Sequence, residues 1–138
     1  MHFCLDTNTC IDAMKGTWPG MAARFRRHVP EDIGVPAMVR AELLLGALKS
    51  RNPGRTGELV EAFLAPFELL PFDRSATGHY ADIRFQLEAK GKPIGPNDLV
   101  IAAIARSRNL TLITHNLREF TRVPGLATED WAAGPDQA

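Results

Sequence analysis

Cysteine is nearly absent: only Cys4 and Cys10 occur among the 138 residues, six positions apart. That excludes a disulfide scaffold, and the spacing does not match a zinc module. Two small, buried, reduced thiols are the expectation. Histidine is also sparse, and His2, His28, His79 and His115 are scattered without ligand spacing. An excess of either charge is missing too, since sixteen basic residues balance sixteen acidic ones. A neutral chain is not a general nucleic-acid sponge, because nonspecific affinity comes from neutralising phosphates. What basic character exists lies in arginine, twelve against four lysines, the side chain suited to bidentate phosphate contacts. No apolar run is long enough to span a bilayer. The run from Phe3 to Leu5 is cut off by Asp6 and is too short for a signal peptide. A cytoplasmic protein is expected, without membrane attachment.

What is present describes an ordinary soluble domain, 45% hydrophobic and 23% charged. Its length fits one domain over 1–138 with one sizeable core, ending in a disordered tail over about 133–138. The opening residues form a short apolar strand that ends in Asp6-Thr7-Asn8. Asp6-Thr7 caps a helix over about 8–14, and the glycine- and proline-bearing run 16–20 stops it. A second helix covers 21–28, with Arg24, Arg26 and Arg27 near its end, where cations suit the helix dipole. A strand over 33–35 leads into an apolar helix over 37–48. A polar loop is expected over 49–57, then a helix over 58–65, a strand over 67–72, and a helix from Asp73 or Ser75 to Glu88 or Ala89. The loop 91–96, with two glycines and two prolines, precedes a helix over 97–108, a strand over 110–114 and a last short strand over 126–128. Strands alternating with helices predict an α/β sandwich on a mainly parallel sheet. In such sheets ligands bind beyond the carboxyl ends of the strands.

Three acids stand out. Glu42 shares its helical face with Met38, Val39, Leu45 and Gly46, all apolar or small, which points it into the stripe expected to face the core. A lone buried carboxylate costs several kcal/mol unless paired or metal-bound. Asp98 shares a face with Ile101, Ala102 and Ala105 in a helix whose segment from Leu99 to Ala105 carries no polar side chain. Each acid has a plainer reading when taken alone. Asp6 can be a helix cap, Asp98 a dipole-offsetting acid behind Pro96 and Asn97, and Glu42 half of an ion pair. Taken together, they lie where a parallel sheet can bring them to one crevice. Three close carboxylates repel unless a divalent cation neutralises them, and hard oxygen donors select Mg²⁺ or Mn²⁺.

The runs Leu5-Asp6-Thr7-Asn8, Arg40-Ala41-Glu42-Leu43-Leu44-Leu45-Gly46, Pro93-Ile94-Gly95-Pro96-Asn97-Asp98 and Leu112-Ile113-Thr114-His115-Asn116-Leu117-Arg118-Glu119-Phe120 occur in that order. With Val123-Pro124-Gly125-Leu126 and Glu129-Asp130-Trp131, they resemble a PIN domain over nearly the whole chain. The likeness is closest to the VapC toxins of type II toxin–antitoxin pairs. It implies a PIN-like three-layer α/β/α sandwich and a Mg²⁺-dependent endoribonuclease, with Mn²⁺ as a substitute. Asp6, Glu42 and Asp98 match the acids that hold the metal, and Asn116 stands at the fourth, often acidic, catalytic position. Thr7 and Thr114 match supporting positions, and Asn8 joins them as an expectation. The resemblance further implies an RNA substrate, with tRNA and especially initiator tRNA the expectation, and a VapB-like antitoxin as partner. Lys90, Lys92 and Arg118 are the leading candidates for RNA backbone contacts. The apolar helices around 43–48 and 63–67 are richer in large side chains than one small core needs, which suggests a homodimer or a groove for an antitoxin helix. The alternative is a non-catalytic PIN-like module whose acidic pocket docks a basic partner segment.

Overall fold

A computed structural model describes residues 1–132; the expected tail over about 133–138 lies outside the described residues. Five strands, β1 (Phe3–Leu5), β2 (Ile33–Pro36), β3 (Glu68–Leu70), β4 (Thr111–Ile113) and β5 (Thr128–Glu129), form one sheet in the order β3-β2-β1-β4-β5. Every pairing is parallel, with Phe3 opposite Ile33 on one side and Thr111 on the other. Parallel strands require crossovers. The helices α1 (Thr7–Lys15), α2 (Met21–Arg26), α3 (Ala37–Leu48), α4 (Pro53–Leu64), α5 (Arg74–Ala89), α6 (Pro96–Ser107) and α7 (Leu117–Phe120) supply them and flank the sheet. No helix among the described residues is long and apolar enough to cross a membrane.

β2 is buried along its whole length, and in the central strand Cys4 and Leu5 are fully buried. Cys4 and Cys10 are free thiols in that core. On one side, α6 buries every residue from Ile101 to Ala105, which is why its sequence shows no polar stripe. Gly34 in β2 is required by a close approach: a Cβ there would stand 2.7 Å from Leu70 Cδ1 and 2.8 Å from Met1 Sδ. An aromatic cluster closes the end of the sheet where β1 begins. Fully buried Trp131 packs against Phe3 at 5.3 Å and Phe25 at 5.0 Å, and lies flat on His28 at 5.2 Å. Its indole N–H donates to Glu129 Oε1, 3.1 Å away.

Several sequence expectations shift. The polar run after α3 is not all loop, because α4 starts at Pro53. Asn52 caps it by accepting from the Arg55 N–H at 3.2 Å, and Pro53 sits in the first turn, where a missing N–H costs nothing. Two glycines within a turn and a half hid that start. The second helix ends at Arg26, and the last strand lies at Thr128–Glu129 rather than 126–128. Arg24 is no surface cation. It is 5% exposed, and its guanidinium donates to Glu129 Oε1 at 2.8 Å, so it belongs to the core.

Candidate active site

The strand order reverses between β1 and β4, and a crevice opens beyond their carboxyl ends. Asp6 follows β1 directly, and its N–H still donates to Ile113 of β4 at 3.2 Å. Its side chain is 3% exposed and caps α1, accepting from the Thr9 N–H at 2.8 Å. Burial raises its pKa, partly offset by hydrogen bonds from Thr114 and Thr9. The cap role of Asp6 therefore leaves its carboxylate at the crevice, and the plain reading of Asp6 does not compete with a functional one.

Glu42 lies in mid-α3. The buried face of that helix is Val39, Leu43 and Ala47, while Leu45 and Gly46 are exposed. The expectation that Glu42 points into the core stripe is thus corrected: it stands half-buried at the edge of that stripe, facing the crevice. Thr7 Oγ1 donates to its Oε1 at 2.5 Å and Asn97 Nδ2 to its Oε2 at 3.3 Å. No arginine neutralises it among the described residues; Arg40 pairs with Glu61 instead. Asn97 is accordingly not a helix cap, and Gly95 occupies that position.

Asp98, in the first turn of α6, meets an acid that the sequence reading passed over. Glu119, in the one-turn helix α7, accepts from the Gly95 N–H at 3.0 Å and from Asn116 Nδ2 at 3.3 Å. Its carboxylate also lies beside that of Asp98, near enough for each to shift the other's pKa. Burial first, then a hydrogen bond with Glu119 and the charges of Glu119, Glu42 and Asp6, push Asp98 up to about 7. Burial alone would raise Glu119 as well, but the bonds from Asp98, Gly95 and Asn116 and the nearby Arg122 outweigh it, and its pKa is lowered. Glu119 is the fourth carboxylate, and Asn116, the expected fourth position, holds it. Asn116 is in turn set by its own N–H donating to Thr114 Oγ1 at 2.9 Å. Asn116 and Glu119 stand three residues apart, on the same face of that turn.

Thr7 and Thr114 thus touch Glu42 and Asp6, whereas Asn8 is exposed and hydrogen-bonds none of the acids among the described residues. Thr9, not singled out by sequence, is buried. Its hydroxyl lies beside Asp6 and donates to the Ile113 carbonyl at 3.0 Å, locking α1 to β4. Lys90, Lys92 and Arg118 are all exposed. Lys90 and Lys92 flank the left-handed Gly91 at the end of α5, and Arg118 adjoins Glu119.

Among the described residues, no three His, Cys, Asp or Glu side chains are gathered into a ready-made cation cage. The donor chemistry nevertheless fits a hard dication. Asp6, Glu42, Asp98 and Glu119 offer carboxylate oxygens from four different elements, and Asp98 is raised first by burial and then by its acidic neighbours, whose charge a cation would offset.

The PIN domain model matches residues 3–126. The chain is 41% identical over 131 residues to the tRNA(fMet)-specific endonuclease VapC of Salmonella typhimurium, covering 95% of this chain and 98% of that one. It is 39% identical over 132 residues to the protein of the same name from Shigella flexneri, covering 96% and 99%. Among solved structures, DNA-bound VapBC from Salmonella typhimurium superposes with a TM-score of 0.90 at 41% identity, covering 95% of this chain and 98% of that chain.

Proposed function

The chain belongs to the PIN-domain family, among the VapC ribonuclease toxins, and from that premise we propose that it is a divalent-cation-dependent endoribonuclease whose reacting centre is Asp6, Glu42, Asp98 and Glu119. The observation that carries this reading is the convergence of four carboxylates, each from a different element, on the crevice between β1 and β4. Magnesium is the proposed ion, with manganese as a substitute. Bound there, it supplies charge neutralisation at the scissile phosphate and a more acidic water.

The chain's own residues do the positioning. Asp6 is clamped by the Thr9 amide and the Thr114 hydroxyl, so its carboxylate is preorganised at the sheet edge. Thr7 and Asn97 hold Glu42 by both of its oxygens, leaving it to orient the attacking water. Asp98 and Glu119, side by side at the mouth of the crevice, would hold a cation together with Asp6 and Glu42 once both are ionised. Water attacks phosphorus and the bond to the 3′ oxygen breaks, leaving a 3′-hydroxyl and a 5′-phosphate. Sequencing of RNA ends made by the antitoxin-free protein with Mg²⁺, and their disappearance with EDTA, tests this. Ends bearing 2′,3′-cyclic phosphate would sink it, because they require attack by the ribose hydroxyl.

The substrate we take to be tRNA, and initiator tRNA first, as the names of the two relatives indicate. Lys90 and Lys92 are proposed to contact its backbone. Replacing each with Ala should weaken binding by a similar factor for every sequence and reduce the slope of log affinity against log salt by about 0.7 per lysine. Affinities measured between 50 and 300 mM salt read this directly. A VapB-like antitoxin is the proposed partner, and a homodimer the proposed assembly. A groove of about 400 Å³ between α1, α3 and α4, lined by Ile11, Met14, Leu43, Leu59 and Val60, ends at Glu42. It suits an amphipathic antitoxin segment that reaches the acids.

A further inference from the structure

Two aromatic rings stand at the rim of the crevice without belonging to the acid cluster. Trp18 lies in the turn between α1 and α2, between exposed Thr17 and Pro19, and is itself only partly buried. Its indole N–H donates to Asp12 Oδ2 at 3.0 Å, which fixes the ring's orientation. His115 leaves the end of β4 between Thr114 and Asn116, the residues that touch Asp6 and Glu119. Its side chain is 52% exposed, and Nδ1–H donates to Asp130 Oδ2 at 2.8 Å. The two rings meet with centroids 5.0 Å apart at 48°. Each is held by a carboxylate, Asp12 for Trp18 and Asp130 for His115; Trp18 packs one side against the core and leaves the rest of its ring accessible, while His115 lies outside the core.

The chain carries no net charge, so electrostatics alone does not hold a polyanion firmly. Proteins that bind single-stranded RNA supplement weak electrostatics with aromatic faces on which unpaired bases stack. We propose that Trp18 and His115 form such a platform, seating an unpaired base beside the phosphate to be cut. The pair then sets where along an exposed loop or single strand the acids act. This deepens the reading of the acid cluster as a ribonuclease centre and rests on it.

The test uses the full-length chain carrying Asp98→Asn, so that RNA binds without being consumed. An unpaired RNA oligonucleotide of mixed sequence is titrated in while tryptophan emission is followed. Trp131 is fully buried, so Trp18 is the indole that a base can reach. The expected result is quenching on binding. Trp18→Ala should lose the quench and bind about ten-fold more weakly, and Trp18→Phe should restore most of the affinity. His115→Ala should weaken binding in the same direction, and a duplex RNA should not quench. In the active chain, Trp18→Ala should raise KM and leave kcat nearly unchanged. Cleavage by the wild type with no quench and an unmoved KM in Trp18→Ala would overturn the platform and leave the ribonuclease standing. Failure of the wild type to cut any RNA would overturn both. A loss that Phe does not rescue, accompanied by a lower melting temperature, would assign Trp18 to folding and overturn the proposal. So would unchanged RNA affinity with weakened antitoxin binding.

Discussion

Asp98→Asn is expected to lose cleavage by on the order of 10³-fold and, in metal-free protein at pH 8, to be more stable than the wild type. The two effects share one cause. Asp98 is half-buried and sits among three other carboxylates, and burial first, then these neighbours, raise its pKa to about 7, against 3.8 for an ordinary aspartate. A raised acid favours the folded state when protonated. Its contribution is complete below about pH 4 and is lost as pH rises through 7. The metal-free wild type therefore weakens across that window, while Asn, with no proton to lose, stays level. A shift of this size corresponds to at most about 4 kcal/mol, and since Asp98 is only half-buried, about 1–2 kcal/mol is the realistic gain. Urea midpoints at pH 5 and pH 8 measure it. Mg²⁺ should raise the wild-type midpoint at pH 8 and leave the variant's nearly unmoved, since a ligand stabilises only the state it binds. A variant that cuts as fast as the wild type would remove Asp98 from the centre. Equal midpoints at pH 8 would show that the four acids do not repel as described.

The largest loss of stability is expected far from the acids, at Trp131→Ala. The ring is fully buried against Phe3, Phe25 and His28. Truncation of such a side chain typically costs about 3–5 kcal/mol, the transfer of the ring plus the cavity it leaves. A domain of this size has roughly 5–15 kcal/mol in hand, so the melting temperature should fall by about 10–20 °C. Trp131→Phe keeps a ring but loses the N–H bond to Glu129, and should fall between the two. Because Trp131 packs where β1 begins and Asp6 stands where it ends, cleavage per folded molecule at low temperature should be unchanged. Calorimetry and activity normalised to folded fraction separate the two quantities. A melting temperature within a few degrees of wild type would mean that the cluster is not the keystone its packing indicates.

Much of the fold could be read from the chain because its strands are short, apolar and bounded by polar or glycine- and proline-rich turns. The buried α6 announced itself by an unbroken apolar run, and Asp98 by standing at the head of that run. Glu42 stands at the edge of the buried stripe of α3 and not within it. The helical face chosen for it includes Leu45, which is 51% exposed, and apolar residues on an outer face are indistinguishable from core residues without knowledge of what packs on them. The start of α4 was hidden by Gly54 and Gly57, whose propensity argues for a loop until the Asn52 cap and Pro53 are weighed together. Glu119 was missed for a different reason. A helix of one turn has no periodicity to read, and an acid between Arg118 and Phe120 looks like any surface residue. What distinguishes it is a backbone N–H from Gly95, twenty-four positions earlier, a contact that only the folded chain reveals.

The strand at the middle of the sheet precedes all of its neighbours in chain order. Phe3 pairs with Ile33 on one side and with Thr111 on the other, and Asp6 needs Thr114 to hold it while Asp98 needs Glu119. During synthesis, β1 must therefore wait with one edge open until β4, more than a hundred residues later, has left the ribosome, a connection among the slowest to close because its ends are so far apart in sequence. No shorter nascent fragment can assemble the four acids. For a chain that cuts RNA, activity is thereby withheld until the segment carrying β4 and Glu119 has been made, and a ribosome is not exposed to a working copy from a shorter nascent chain.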